Sequence, residues 1–341
     1  MIKKISLGII GILLLLIVWN FELVVYGIKQ ARGQLNIVWN ARPVSAYLSD
    51  PAVADSVKIK LQYIQKVREY AIKELGLNDT DNYTSMYDQG GKPVLWVVTG
   101  CKPYKFEPRE WNFPVVGKVP YKGFFVEKDA MQAMEKLKKD GYDAGVRTVG
   151  GWSTLGWFND PILSSMLNRS IGDLANLIIH ELVHATIFVK DSVEFNENLA
   201  SFIGDEGARQ FLQYEYGADS EEYHNYLKEV EDERSYVAHI LRGADSLEVL
   251  YGSFAEELSD EDKEMKKQQL IGKIMQELDT VSLNNRNFFR NVKGYQPNNT
   301  FFMSFMRYRS KQNNLDDIYT NKFDQDIRAF ITFLKKEHPF L

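Results

Sequence analysis

Ser170-Ile171-Gly172-Asp173-Leu174-Ala175-Asn176-Leu177-Ile178-Ile179-His180-Glu181-Leu182-Val183-His184 is the stretch from which the rest of the chain can be read. Ser170 followed by Asp173 has the form of a capping box, and Leu174, Leu177, Ile178, Leu182 and Val183 recur at helical spacing. The segment is therefore predicted to be a helix that starts at Ser170 and buries one apolar face. Four residues advance an α-helix by about 6 Å and about 400°. His180 and His184 thus project along nearly one line and can reach the same ion, with Glu181 beside them. Grouping His, Glu and His on an apolar helix is costly unless a metal compensates the buried polar groups.

Zinc accepts neutral imidazole nitrogens, and a catalytic zinc uses three protein ligands with a fourth position left to water. The chain has five histidines and one cysteine, Cys101, so the third ligand to a single zinc ion is expected to be a downstream carboxylate. Asp191, Glu194, Glu197, Asp205 and Glu206 are the candidates. Lys190-Asp191-Ser192 reads as a turn, after which Phe195 to Phe202 begin a second helix able to lie across the first. That helix would present Glu197 to the histidines, whereas Glu194 would fall before its start; Glu197 is preferred and Glu194 is the main competitor. Glu181 then has the place of a general base, taking a proton from water and passing it to a leaving amine.

Working outward, segments 52–75 and 128–140 have helical spacing, while 93–99 and 115–126 read as strands bounded by Gly and Pro. Beyond Ser170 helices are expected over 171–189, 197–214, 220–242, 245–277 and 322–337, with Gly207 and Gly217 as breaks. The charged stretch from Glu256 to Lys267 reads as a solvated helix face. The fold class is α+β: a small mixed sheet followed by a mainly helical domain. No repeat or low-complexity linker divides residues 26–341, which are expected to form one catalytic unit.

Composition sets the outer bounds. An apolar fraction of 45% with 13% aromatics supports a large core, and a net charge of −5 offers no basic footprint for nucleic acid. A lone cysteine allows no intramolecular disulfide, and Cys101 is assigned no role. At the N-terminus, Lys3 and Lys4 precede an apolar run from Ile5 to Trp19. Extended through Val25, the run reaches the roughly 20 residues that span a bilayer. Residues 1–25 are therefore expected to be a membrane anchor or a signal segment, with an uncleaved single-pass anchor preferred. The flanking lysines favour an N-in orientation, placing the remainder outside the cytoplasm, in a periplasm or at a cell surface.

Asn196-Glu197-Asn198-Leu199-Ala200, lying behind His180-Glu181-Leu182-Val183-His184, resembles the gluzincins, in which a glutamate ligand on another helix follows HExxH. From about residue 26 to about residue 310 the chain resembles the bacterial putative aminopeptidase family of membrane-associated metallopeptidases. The likeness is carried by Gln30-Ala31-Arg32-Gly33-Gln34-Leu35, Ala41-Arg42-Pro43, Val119-Pro120-Tyr121-Lys122-Gly123-Phe124-Phe125 and Ser153-Thr154-Leu155-Gly156-Trp157-Phe158. It implies a gluzincin-like domain, peptide-bond hydrolysis, a peptide substrate, aminopeptidase action, and the ligand set His180, His184 and Glu197. It also points to Tyr308 as the oxyanion donor, ahead of His239.

Two departures stand out. Asn112 and Lys118 occupy positions where relatives are expected to carry cysteines, and Ser201 stands where gluzincins often place an acid that supports a histidine. Asp205, two turns after Glu197, is the substitute candidate for orienting an imidazole. Gly150 to Gly156 reads either as an edge strand that pairs with substrate or as a turn into the motif helix. Endopeptidase action and a membrane-tethered peptide-binding protein with an inactive site remain as alternatives. An intramembrane protease does not, because no second run after residue 25 approaches spanning length.

Overall fold

The computed structural model describes residues 18–113, 117–149, 159–285, 295–309 and 312–338. The first helix, α1 (Phe21–Asn40), runs across the boundary expected between residues 25 and 26 and lies against the body of the protein. Gly33 permits that contact, since a Cβ there would fall 2.1 Å from Cγ of Phe125. Tyr26 donates to the Gly123 carbonyl at 2.9 Å and Lys29 pairs with Asp129 at 2.7 Å, so α1 is pinned on the same side at three points.

After β1 (Arg42–Pro43), α2 (Val44–Ser49) and α3 (Asp55–Lys73), the chain forms short strands in three small sheets. In the first, β1 is antiparallel to β2 (Ser85–Tyr87), which runs parallel to β8 (Ile162–Leu163). In the second, β3 (Trp96–Cys101) lies between β6 (Lys122–Phe124) and β7 (Asp143–Thr148), antiparallel to both. The third is a hairpin of β4 (Trp111–Phe113) and β5 (Gly117–Val119). Helix α4 (Glu127–Lys139) covers the β3 sheet with Ala130 and Leu137. The α+β reading holds, although the single small sheet expected from the sequence is three. The strand expected over 115–126 divides at Pro120, which has no N–H to continue a ladder.

From β8 a 3-10 turn (Ser164–Asn168) leads into α5 (Ile171–His184), so the first sheet fixes where the motif helix begins. Then come α6 (Val193–Tyr216), α7 (Glu221–Gly252), α8 (Asp260–Glu277), α9 (Asn299–Arg309), α10 (Gln312–Phe323) and α11 (Ile327–Glu337). The main core gathers α3, α5, α6, α10 and α11, and a second apolar cluster joins α7, α8 and α9.

Several boundaries differ from expectation for definable reasons. Gly207 does not break α6: it faces the neighbouring elements, where a Cβ would lie 2.9 Å from Leu75 Cδ1 and 3.1 Å from Ile179 Cγ2. Gly243 is likewise inside α7 against Ile274, and the break expected near 242–245 falls instead after Gly252. Gly217, at φ +95°, does end α6. The motif helix stops at His184 rather than 189, and α6 starts at Val193, which puts Glu194 in its first turn and not before it. The last expected helix is two, divided at Asp324 and Gln325, both with positive φ.

Among the described residues no helix is long and apolar enough to cross a membrane. The run Ile5–Trp19 lies outside the described residues apart from its last two positions. Gly150 to Phe158, with the segment read as either an edge strand or a turn, also lie outside them.

Candidate metal centre

Ser170 caps α5 as its sequence indicates, its Oγ accepting from the Asp173 N–H at 3.1 Å. Leu174, Ala175, Ile178, Ile179, Leu182 and Val183 are buried on this helix. Full burial of a large aliphatic side chain contributes about 1.5–3 kcal/mol, so this face fixes the helix and with it the direction of His180 and His184. Helix α6 approaches closely at Gly204, where a Cβ would lie 3.2 Å from the Asn176 carbonyl oxygen and 3.3 Å from the His180 Cβ. A residue with no side chain at this crossing allows Glu197, two turns earlier on α6, to come level with the histidines.

The Nε2 atoms of His180 and His184 each stand 3.5 Å from Oε2 of Glu197, and the two rings meet edge to face at 81°. One ligand atom from each residue lies within 4.8 Å of the others, so the three can hold a metal ion. Tetrahedral ligands at about 2.0–2.1 Å from zinc stand about 3.3–3.4 Å from one another. The two imidazole–carboxylate distances of 3.5 Å are compatible with such an edge, and two imidazoles with one carboxylate are a donor set of the kind that zinc takes.

Burial is the largest influence on both Glu197 and His184, and it disfavours their charged forms. Their mutual attraction outweighs it. The charge of His184 and hydrogen bonds from both imidazoles hold the Glu197 carboxyl well below the ordinary carboxylate range. The charge of Glu197 and its hydrogen bond, with Glu181 adding to them, raise the His184 imidazole above its ordinary value. Glu181 is buried beside His180 on α5. The Nδ1 of His184 is buried with no hydrogen-bond partner among the described residues.

Of the five downstream carboxylates weighed from the sequence, only Glu197 joins the histidines among the described residues. Asp191 accepts the Lys118 N–H at 2.9 Å beside the β4–β5 hairpin, and Glu206 is paired with Arg209 on its own helix. Glu194 occupies the first turn of α6. The carboxylate of Asp205 accepts from Asn176 Nδ2, one turn before His180, and this contact is to an amide rather than to an imidazole. His239 Nε2 donates to the Ile274 carbonyl, 2.8 Å away beside the second apolar cluster, and it belongs to packing there. The backbone of Tyr308 sits in α9, while its side chain lies outside the described residues.

Two residues flanking Glu197 had no role assigned in the sequence reading. Asn196 clasps the loop between the two helices, accepting from the Val189 N–H at 2.9 Å and donating to its carbonyl at 2.8 Å. Asn198 donates to the carbonyls of Glu194 and Arg307, tying α6 to α9. Asparagine is a poor helix former that bonds readily to backbone; two of them flanking Glu197 near a helix start were a usable signal.

A family model described as "Putative aminopeptidase" matches residues 25–338 of the chain. Neither the curated proteins nor the solved structures compared with it give a significant match.

Proposed function

Because the chain belongs to the putative aminopeptidase family, we propose that it is a zinc-dependent aminopeptidase with a gluzincin-like catalytic domain over residues 26–341. The observation that carries this reading is the convergence of His180, His184 and Glu197, with each imidazole Nε2 3.5 Å from the carboxylate. These three would hold one zinc ion. Bound there, zinc would supply Lewis acidity, polarising the scissile carbonyl and making a water easier to deprotonate at neutral pH.

The remaining steps belong to the side chains. Glu181 follows His180 directly, so its carboxylate leaves the same helix beside the ligand line and takes the proton of the attacking water. It returns that proton to the leaving amine as the carbon–nitrogen bond breaks. The negative oxygen that develops on the attacked carbon requires a hydrogen-bond donor. Tyr308 is assigned that part, on a helix that Asn198 links to the glutamate-bearing helix through the Arg307 carbonyl. The substrate is a peptide, and the family description favours one with a free amino terminus.

For placement in the cell, the apolar run of residues 5–19 behind Lys3 and Lys4 supports a single-pass anchor with the catalytic domain outside the cytoplasm. The deciding experiment uses the full chain purified in detergent and supplied with zinc, assayed on peptides with free and with blocked amino termini. Hydrolysis of the free peptides alone, abolished in Glu181→Gln while zinc is retained, is the expected result. Equal cleavage of both substrates would replace aminopeptidase by endopeptidase action, and an undiminished Glu181→Gln variant would end the hydrolytic reading.

A further inference from the structure

Helix α1 fastens one side to the body of the protein and turns the other to solvent. Ile37 is buried on the fastened side, which Tyr26, Lys29 and Gly33 share. On the opposite side Phe21 is 63% exposed, Ile28 63% and Trp39 76%. Seven residues fall about 20° short of two helical turns, and eleven pass three turns by about 20°. These three side chains therefore stand on nearly one line, about 27 Å long. Arg32, also exposed, falls on the same line between Ile28 and Trp39.

A line of large apolar side chains facing water marks a surface that something covers. Two observations identify the cover as lipid. The first is continuity: the apolar run Ile5–Trp19 ends directly ahead of α1, and Trp19 itself is 89% exposed. Asn20 between them is the N-cap of α1, with φ −107° and ψ 29°, away from helical values, and its carbonyl accepts the Val24 N–H at 3.0 Å. The helix begins afresh there and need not follow the direction of the run. The second is composition: beyond Glu22, α1 contains no acidic residue, while Arg32 lies within the apolar line and Trp39 closes it. Tryptophan and arginine beside apolar side chains suit the boundary between headgroups and acyl chains, where anionic lipids attract the cation. A second copy pairing through the same line would bury Arg32 with no acidic residue there to meet it, which is costly.

We propose that α1 is an interfacial helix: Phe21, Ile28 and Trp39 enter the headgroup and acyl boundary of a lipid bilayer, while Tyr26, Lys29, Gly33 and Ile37 hold the catalytic body to the same helix. Lying in the membrane plane, α1 decides which face of the body is turned toward lipid. For the nearness of a bilayer this rests on the anchor assigned to residues 5–19, and the test separates the two.

Full chains carrying Ile28→Cys, Trp39→Cys or, as a control on α7, Val249→Cys are labelled with an environment-sensitive fluorophore. Val249 is 75% exposed, and the chain's own Cys101 is buried, so wild type serves as the unlabelled blank. The labelled chains are reconstituted into vesicles of phosphatidylcholine and phosphatidylglycerol in equal parts, with and without brominated acyl chains. The labels of Ile28→Cys and Trp39→Cys are expected to shift to shorter wavelength, to lose about half of their emission to brominated lipid, and to resist aqueous iodide. The Val249→Cys label should remain open to iodide and indifferent to brominated lipid. All three melting temperatures should match wild type, because the replaced side chains are exposed.

Labels of Ile28→Cys and Trp39→Cys that are as open to iodide as that of Val249→Cys, in chains that float with the vesicles, overturn the inference and leave the anchor standing. Shielding from iodide without quenching by brominated lipid, together with disulfide cross-links between Ile28→Cys chains, also overturns it and gives the face to a second copy. Chains that fail to float with the vesicles remove both the anchor and the inference. Quenching by brominated lipid in chains that alkaline carbonate then releases removes the anchor alone and sustains the interfacial helix.

Discussion

Glu197 carries the arrangement at the scale of single residues, because its one carboxylate oxygen faces both imidazoles at 3.5 Å. The pairing with His184 has a pH signature in the metal-free protein. His184 has its folded pKa raised above 6.5, so its contribution to stability is complete below that value and is lost as pH climbs through the raised one. Glu197 has its folded pKa depressed below 4.5, so its contribution is present above that value and disappears as pH falls through the depressed one. With metal removed, wild type should be stabilised over Glu197→Gln most strongly between these two ordinary values, and the gap should narrow as pH rises through the raised imidazole pKa. Melting curves of both proteins across that range test this, and a gap that widens with rising pH would contradict it. With zinc present the pH trend reverses, since protons compete for the same imidazoles and loading weakens in acid.

Among the elements, α5 was legible from sequence because its cap, its apolar spacing and its two histidines all report on one local period. The glycines were not. A glycine that breaks a helix and one that lets two helices touch look alike in one dimension, so Gly217 was read correctly while Gly207 pointed to a break that does not exist. The strands suffered for a related reason: β1, β2, β6 and β8 are two or three residues long and owe their existence to partners distant in sequence. The crossing of α5 and α6 yields two predictions. Gly204→Ala gains about 1 kcal/mol of helix propensity but must displace the Asn176 carbonyl and the His180 Cβ, an overpacking that costs about 1–3 kcal/mol. Stability should change little or fall modestly, while zinc affinity drops because the displaced atoms carry a ligand; unchanged affinity by competition titration would refute this. Asn196→Ala removes two bonds to Val189 and should cost about 1–3 kcal/mol in denaturant unfolding, as expected for buried backbone groups left unpaired. A loss within error of zero would mean that the clasp holds nothing.

For the molecule as a whole, α1 connects the N-terminal apolar run to the catalytic body. Its outer side exposes Phe21 and Ile28, while Tyr26, Lys29 and Gly33 fasten its inner side. If the run is an anchor, the full chain stays with membranes through high salt and alkaline carbonate and leaves them only in detergent; recovery in the soluble fraction would contradict the anchor. The identity of the metal ligands is what the functional account depends on most. The most direct measurement is metal analysis of the detergent-purified full chain beside Glu181→Gln, His184→Ala and Glu197→Ala. The account predicts about one zinc per chain in wild type and in Glu181→Gln, and little in the other two. Full zinc in His184→Ala or Glu197→Ala, or none in a correctly folded wild-type chain offered zinc, would contradict it.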